Sequence, residues 1–236
     1  MHLARSFCFL TMHRWDLPPE EAIKVQNELR SKVDLKNRVD LSKVRLIAAS
    51  DLAYDGDIGY AVILVYSYPD LRLLEEVSVK RRVDFPYIPG LLAFREMPLL
   101  IEAADKLKKK PDVWLIDGAG IAHPRRMGIA SHFGIYVDAP TVGCAKSHLF
   151  GKFKEPGPKQ GDYTYLYDKD EIVGVVLRTK DGVKPLFISV GYGISLDVAV
   201  RLILSCCDGY RLPKPLREAH NVIERIKREG DKMTLF

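Results

Sequence analysis

Three acidic residues stand where the surrounding sequence is apolar. Asp51 follows the run VRLIAAS, and Asp117 ends the run VWLID. Glu96 falls in the middle of the apolar face of a helix predicted over 91–107, on which Leu92, Leu99, Leu100, Ala103 and Leu107 recur at helical spacing. A carboxylate there loses its water shell, which is costly without a compensating charge. Three such groups converging on one rim repel one another, and at least one is forced neutral. A divalent cation resolves the conflict, and ligands that are all oxygen suit Mg²⁺, with Mn²⁺ able to substitute. Hard metals in a carboxylate cluster recurrently serve in-line attack of water on phosphodiesters. Singly, each acid has a plainer reading: Asp51 as a turn or cap residue, Asp117 before Gly118 as an Asx-turn, Glu96 as partner of a buried arginine. The conjunction favours a metal site.

Other residues bear on the same chemistry. Lys146 ends the run PTVGCA, where its ammonium either pairs with the acids, offsets charge developing on a phosphate, or is an ordinary surface lysine. His123 and His220 read as surface histidines, with metal binding or water orientation open to His220. In PYIPG, two prolines hold the chain extended around Tyr87 and Gly90 permits a tight approach. A rigid loop carrying an aromatic suits insertion into a base stack, or the tyrosine packs under a turn. The GAG and GCA stretches offer backbone amides that could line a base-sized pocket. Lys80-Arg81-Arg82, Arg125-Arg126 and Lys152-Phe153-Lys154 are stretches that track phosphates or simply face solvent.

These residues need positioning. Asp16-Leu-Pro-Pro-Glu-Glu opens a helix with an Asp cap, reaching about Lys32. Strands are predicted over 44–54, 58–69 and 71–83, with turn signals between them, which makes an antiparallel meander. The helix bearing Glu96 closes at Lys108-Lys-Lys-Pro. Then follow a strand at 112–118, a glycine-rich loop, a helix around 129–136, a strand at 139–147, a hairpin turning at Asp181-Gly182, and helices from Ser195 to Cys206 and from Pro215 to Glu229. Strand–helix–strand order implies parallel crossovers joined to the meander: an α/β mixed sheet with helices on both faces, and a site at the carboxyl ends of the strands.

The 236 residues, 47% apolar and 28% charged, suffice for one domain spanning 1–236 with a full core. No apolar run approaches the ~20 residues of a membrane span, and Ser6–Leu10 is too short for a signal-peptide core, so a cytoplasmic (or nuclear) protein is expected. Cys8, Cys144, Cys206 and Cys207 form no C-x-x-C pair and read as reduced thiols. A net charge of +5 is compatible with a polyanionic partner. Asn and Gln occur only at 26, 27, 37, 160 and 221, a balance common in heat-adapted proteins.

In this order, PYIPGLLAFRE, DGAGIAHPRRMGIASH and PTVGCAKS closely resemble the endonuclease V family of deoxyinosine 3′-endonucleases, over about Arg14 to Arg228. The resemblance implies a ribonuclease H-like fold and Mg²⁺-dependent cleavage of DNA at the second phosphodiester bond 3′ to hypoxanthine, initiating repair. It implies that Asp51, Glu96 and Asp117 bind metal, that Lys146 and His220 (in PLREAH) complete the catalytic set, and that Tyr87 is the wedge filling the gap left by the lesion base. Gly90, Leu92, Gly118 and Gly143 fall in segments that shape the hypoxanthine pocket, with His123 beside it. Tyr192 stands where the family often has a histidine, and Leu216 where threonine is more usual. Rival readings are a ribonuclease acting on inosine-containing RNA and a non-catalytic binder of distorted nucleic acid. The final KMTLF resembles tail motifs that dock weakly on sliding clamps, or is a frayed end.

Overall fold

The alternation of apolar residues along the strands shows why two helical layers must cover this sheet. In β1 (Leu46–Asp55), Ile47 and Ala49 belong to one buried cluster while Ala48 belongs to another. The same split separates Val62 and Leu64 from Ala61 and Ile63 in β2 (Ile58–Ser67), and Val113 and Leu115 from Trp114 and Ile116 in β4 (Val113–Ile116). A strand buried on both faces needs an apolar partner on each. The computed structural model, which describes residues 13–233 and side chains through Glu229, supplies them. Helices α4 (Leu196–Ser205) and α5 (Lys214–Met233) bury Val198, Leu202, Leu216, Ala219 and Ile223 against the first face. Helices α2 (Leu92–Asp105) and α3 (Ile129–Val137) bury Met97, Leu99, Leu100 and Phe133 against the second.

The eight strands run in the order β3-β2-β1-β4-β5-β8-β7-β6. β1, β2 and β3 (Leu73–Arg82) form the antiparallel meander, and β1, β4 and β5 (Thr141–Ala145) are parallel. β8 (Leu186–Tyr192) returns antiparallel beside β5, followed by β7 (Glu171–Leu177) and the edge strand β6 (Tyr163–Asp168). This mixed α/β sheet with helices on both faces is the ribonuclease H-like arrangement expected. Among the described residues no helix is long and apolar enough to cross a membrane. Cys144, Cys206 and Cys207 are free thiols. Cys8, Ser6–Leu10 and residues 234–236 of the tail motif lie outside the described residues.

Four local expectations need correcting. The first helix, α1 (Pro19–Leu29), begins after Pro18 and not at Asp16, whose carboxylate is taken by Arg14 at 2.7 Å; a single 3₁₀ turn then carries the chain to Lys32. α2 ends at Asp105, before the lysine run, because the backbone amides of Lys108 and Lys109 turn away to the Glu75 carboxylate at 2.8 and 2.9 Å. The link from β7 to β8 spans residues 178–185 instead of a tight turn, and the buried Arg178 holds it by fanning its guanidinium over the carbonyls of Gly157, Pro156 and Val183. Finally, β6 was not anticipated. Its alternation of tyrosines with Thr164 and Leu166 is the signal that identifies a half-buried edge strand.

Candidate active site

Residues of one parity on adjacent parallel strands share a face. In β1 that parity runs Ile47, Ala49, Asp51; past β4 it runs Val113, Leu115, Asp117; past β5 it runs Val142, Cys144, Lys146. The register pairs Ser50 with Ile116, so the next residues on the two strands, Asp51 and Asp117, lie side by side. All three polar side chains therefore emerge at the carboxyl ends of the parallel strands, on the face that α5 covers. His220 meets them from α5, its Nδ1 at 2.9 Å from Asp51 Oδ2. Lys146 Nζ lies 2.5 Å from Asp117 Oδ2 and 3.9 Å from Asp51 Oδ1. Glu96 approaches from α2, in the opposite layer.

The electrostatics show a surplus of negative charge. Asp51 is 4% exposed; burial, and then the hydrogen bond and charge of Asp117, push its carboxyl up to about 6, against the pull of Lys146 and His220. Glu96 is pushed up to about 8, first by desolvation and then by the charges of Asp117 and Asp51. Burial alone would lower Lys146, but Asp117 and then Asp51 hold its ammonium above the ordinary value. Lys146 thus reaches only two of the three carboxyls, and Glu96, pulled down only by the charge of Arg95, accepts no hydrogen bond among the described residues.

These facts bear on whether a hard dication suits the site. The donor set is entirely carboxylate oxygen, with an imidazole at its edge, and the half-buried Glu96 accepts no hydrogen bond among the described residues; both fit Mg²⁺. No group of three or more His, Cys, Asp or Glu among the described residues is already arranged to hold a metal ion, and Lys146 holds one oxygen of Asp117. The residues fit in chemistry, and closing around a cation requires Lys146 to yield that oxygen.

The loop residues form a second assembly. The Gly90 carbonyl accepts from His123 Nε2 at 3.0 Å, from Arg125 Nη2 at 2.7 Å and from Gln26 Nε2 at 3.0 Å. Gln26, wholly buried on α1, also donates to the Met127 carbonyl at 3.1 Å and accepts from Arg125 Nε at 2.5 Å. His123 is buried rather than at the surface, and burial followed by the Arg125 charge lowers it to about 4. The ring is therefore neutral, with its proton on Nε2, since Nδ1 accepts the Arg125 amide. Gly90 has φ +81°, and a Cβ there would stand 3.0 Å from Arg125 Nη2. This clamp presents Tyr87, which is 71% exposed and not packed under a turn. Leu92, half-buried, opens α2 just beyond.

Gly118 and Gly143 are also brought together: a Cβ on Gly143 would lie 2.4 Å from the Gly120 amide and 2.7 Å from the Gly118 carbonyl, so the 118–120 loop rests directly on β5. One amide of the GAG stretch expected to line a base pocket is spent here, Gly120 on Ser189 Oγ at 2.8 Å, and the next, Ile121, donates to the Val190 carbonyl at 2.8 Å. A shallow depression beside this loop is lined by Ala119, Ala122, Ala145, Leu149, Phe150 and Ser189. Nor do Arg125 and Arg126 face free solvent: Arg125 is held in the clamp, and Arg126 binds Asp168 and Glu171, each at 2.6 Å. Gln26 went unnoticed in the sequence, where a lone glutamine on a helix carries no signal beyond its apolar neighbours.

Comparison with known proteins places the sequence and fold beside one family. The model of the family "Endonuclease V" matches residues 27–221. The endonuclease V of Dehalococcoides mccartyi is 48% identical over 211 residues, 89% of this chain and 94% of that one. Among solved structures, the endonuclease V of Bacillus subtilis superposes with a TM-score of 0.90 at 34% identity, covering 94% of this chain and 97% of that one. That of Ciona intestinalis, in complex with a 24mer DNA containing an inosine followed by a ribo-adenosine, superposes with a TM-score of 0.78 at 26% identity, covering 89% of this chain and 98% of that one.

Proposed function

The chain belongs to the endonuclease V family, and from that premise we propose that it is a Mg²⁺-dependent endonuclease that recognises deoxyinosine in DNA and cuts the second phosphodiester bond on its 3′ side, opening repair of deaminated adenine. The observation that carries this reading is the cluster of carboxyls at the strand ends, Asp51 buried against Asp117, with Glu96 near enough for their charges to raise its carboxyl. A binder with no chemistry to perform gains nothing from acids that repel phosphate.

Asp51, Glu96 and Asp117 would hold the cation, which when bound supplies Lewis-acid polarisation of the phosphate and offsets the charge developing there. The other roles belong to the chain itself. His220 donates Nδ1–H to Asp51, which fixes the ring and leaves the Nε2 lone pair free to orient a water or accept its proton. Lys146, released from Asp117, places a cation where the departing oxygen gathers charge. Tyr87 enters the gap left by the displaced base, and the clamp on Gly90 keeps the Tyr87 loop rigid while it does so. By family resemblance Gly90, Leu92, Gly118, His123 and Gly143 would shape a pocket that distinguishes the O6 acceptor of hypoxanthine from the amine of adenine, a difference worth about 1–3 kcal/mol per contact.

The test is an end-labelled strand with one deoxyinosine, incubated with Mg²⁺, with EDTA, and with the Asp117→Asn variant. A single cut 3′ of the lesion, absent from both controls, is expected. Tight binding without a cut in either Mg²⁺ or Mn²⁺ would refute the nuclease reading. A second reading, inosine-containing RNA as substrate, draws support from the ribo-adenosine that follows the inosine in the DNA of the Ciona complex. Matched deoxyinosine and ribo-inosine strands decide between them by relative rate.

A further inference from the structure

The far edge of the sheet carries a feature that the chemistry above does not use. Tyr163, Tyr165 and Tyr167 alternate along β6, so all three project from one face. They are 47, 40 and 39% exposed, and consecutive ring centroids are 5.7 and 6.1 Å apart. The rings stand edge to face, yet each keeps uncovered surface. Three exposed tyrosines in a row on an edge strand are a cost in water unless something covers them.

What covers them is constrained from three sides. Lys152 bonds Tyr167 through both backbone groups, at 2.7 and 2.8 Å, and the Lys154 carbonyl accepts from Thr164 Oγ1, so residues 152–154 run along the open side of β6. That segment occupies the edge and leaves little ladder for another strand to pair with. Phe153 packs with Leu166 on the other face, which puts Lys152 and Lys154 on the tyrosine side. Their ammonium groups, and that of Lys169, form no ion pair among the described residues. By contrast the nearby acids Asp168, Glu171 and Glu155 are each tied to an arginine, at 2.6, 2.6 and 2.8 Å, while Asp162 and Asp170 form no ion pair among the described residues. The face is thus aromatic and cationic. Finally, Phe150 lines both the depression beside the 118–120 loop and an open cleft formed with Gly151, Lys152, Tyr167, Asp168 and Lys169. By register Tyr163 and Tyr165 pair with Leu177 and Val175, which share a buried cluster with Cys144, so the tyrosines lie on the sheet face from which Lys146 emerges.

We propose that Tyr163, Tyr165 and Tyr167, with Lys152 and Lys154, form a stacking platform for a single-stranded stretch of the nucleic acid whose lesion occupies the acidic site. Aromatic rings interleaved with lysines take bases by their faces and phosphates by charge, whatever the base sequence. The platform thus extends the grip on the strand without adding to recognition of the lesion. This rests on the nuclease reading given above.

The test uses the full-length protein and two single strands with one deoxyinosine: a short one spanning the acidic cluster alone, and one extended on both sides. With metal replaced by EDTA, fluorescence anisotropy measures binding to each. Wild-type protein is expected to bind the long strand more tightly, and the Tyr163→Ser/Tyr165→Ser/Tyr167→Ser variant to lose about fivefold or more of that gain for each base unstacked. Its cleavage of the short strand with Mg²⁺ should be unchanged, and Tyr165→Phe should behave as wild type. Lys152→Gln/Lys154→Gln should flatten the salt dependence by about 1.4 in log–log slope, from roughly 0.7 per phosphate on single strands. If wild-type protein cuts the deoxyinosine strand but the triple variant binds the long strand undiminished, the platform is refuted while the nuclease reading stands. If wild-type protein neither binds nor cuts any deoxyinosine strand, both fall. If the triple substitution changes only the sedimenting mass of the free protein, the face is an interface between copies and the proposal is overturned.

Discussion

Replacing Glu96 by glutamine should stabilise the metal-free protein at alkaline pH while destroying its activity. Glu96 has a carboxyl that burial and two neighbouring acids raise from 4.5 to about 8. Between those values the folded chain keeps a proton that the unfolded chain releases, so its contribution to stability is full below pH 4.5 and is lost as pH rises through 8. At 1.36 kcal/mol per pH unit the ceiling is about 5 kcal/mol, and a realistic loss is about 2 kcal/mol once side chains relax. Asp51, raised to about 6, adds to the same trend at lower pH. Glutamine keeps the shape and cannot ionise, so Glu96→Gln should lose less stability than wild type between pH 5 and 8. Urea unfolding in EDTA at both pH values measures this. With each kcal/mol worth about 2–4 °C in a chain of this size, a thermal scan should show the same difference. Adding Mg²⁺ at pH 8 should restore wild type and leave the variant unmoved, because binding to the folded state alone raises stability. Equal pH dependence in the two proteins without metal would refute the claim that Glu96 is held against its charge.

Other substitutions probe the remaining parts. Gly90→Ala forces an L side chain to φ +81° beside Arg125, and should cost about 1–2 kcal/mol in denaturant unfolding while weakening capture of deoxyinosine. Lys146→Met should lower kcat by about 10²–10³ with little change in strand affinity, as expected for a group that meets charge only as it develops. Affinity falling in step with kcat would assign Lys146 to ground-state binding instead. Tyr87→Ala should slow cleavage of duplex far more than of single strands, since only a duplex leaves a gap to fill; equal losses on both would remove the wedge role.

The sequence already held the local half of this protein. The near-continuous apolar runs VRLIAAS and YAVILVY require strands buried on two faces, and the apolar face of 91–107 requires a helix, because burial patterns follow from side-chain geometry within a few residues. It also marked Asp51, Glu96 and Asp117 as misplaced charges, since each interrupts such a pattern. What it could not contain was their meeting. That depends on the register that sets Ser50 against Ile116, and on a crossover that carries α5 back over β1 so that His220 reaches an acid 169 residues earlier. The clamp on Gly90 likewise joins Gln26, His123 and Arg125 across separations of 64, 33 and 35 residues, and its outcome reversed the expectation of a surface histidine and a free arginine. Propensity and periodicity act along the chain, whereas the ionisation and partners of a buried polar group are set by whatever the fold brings to within about 4 Å of it.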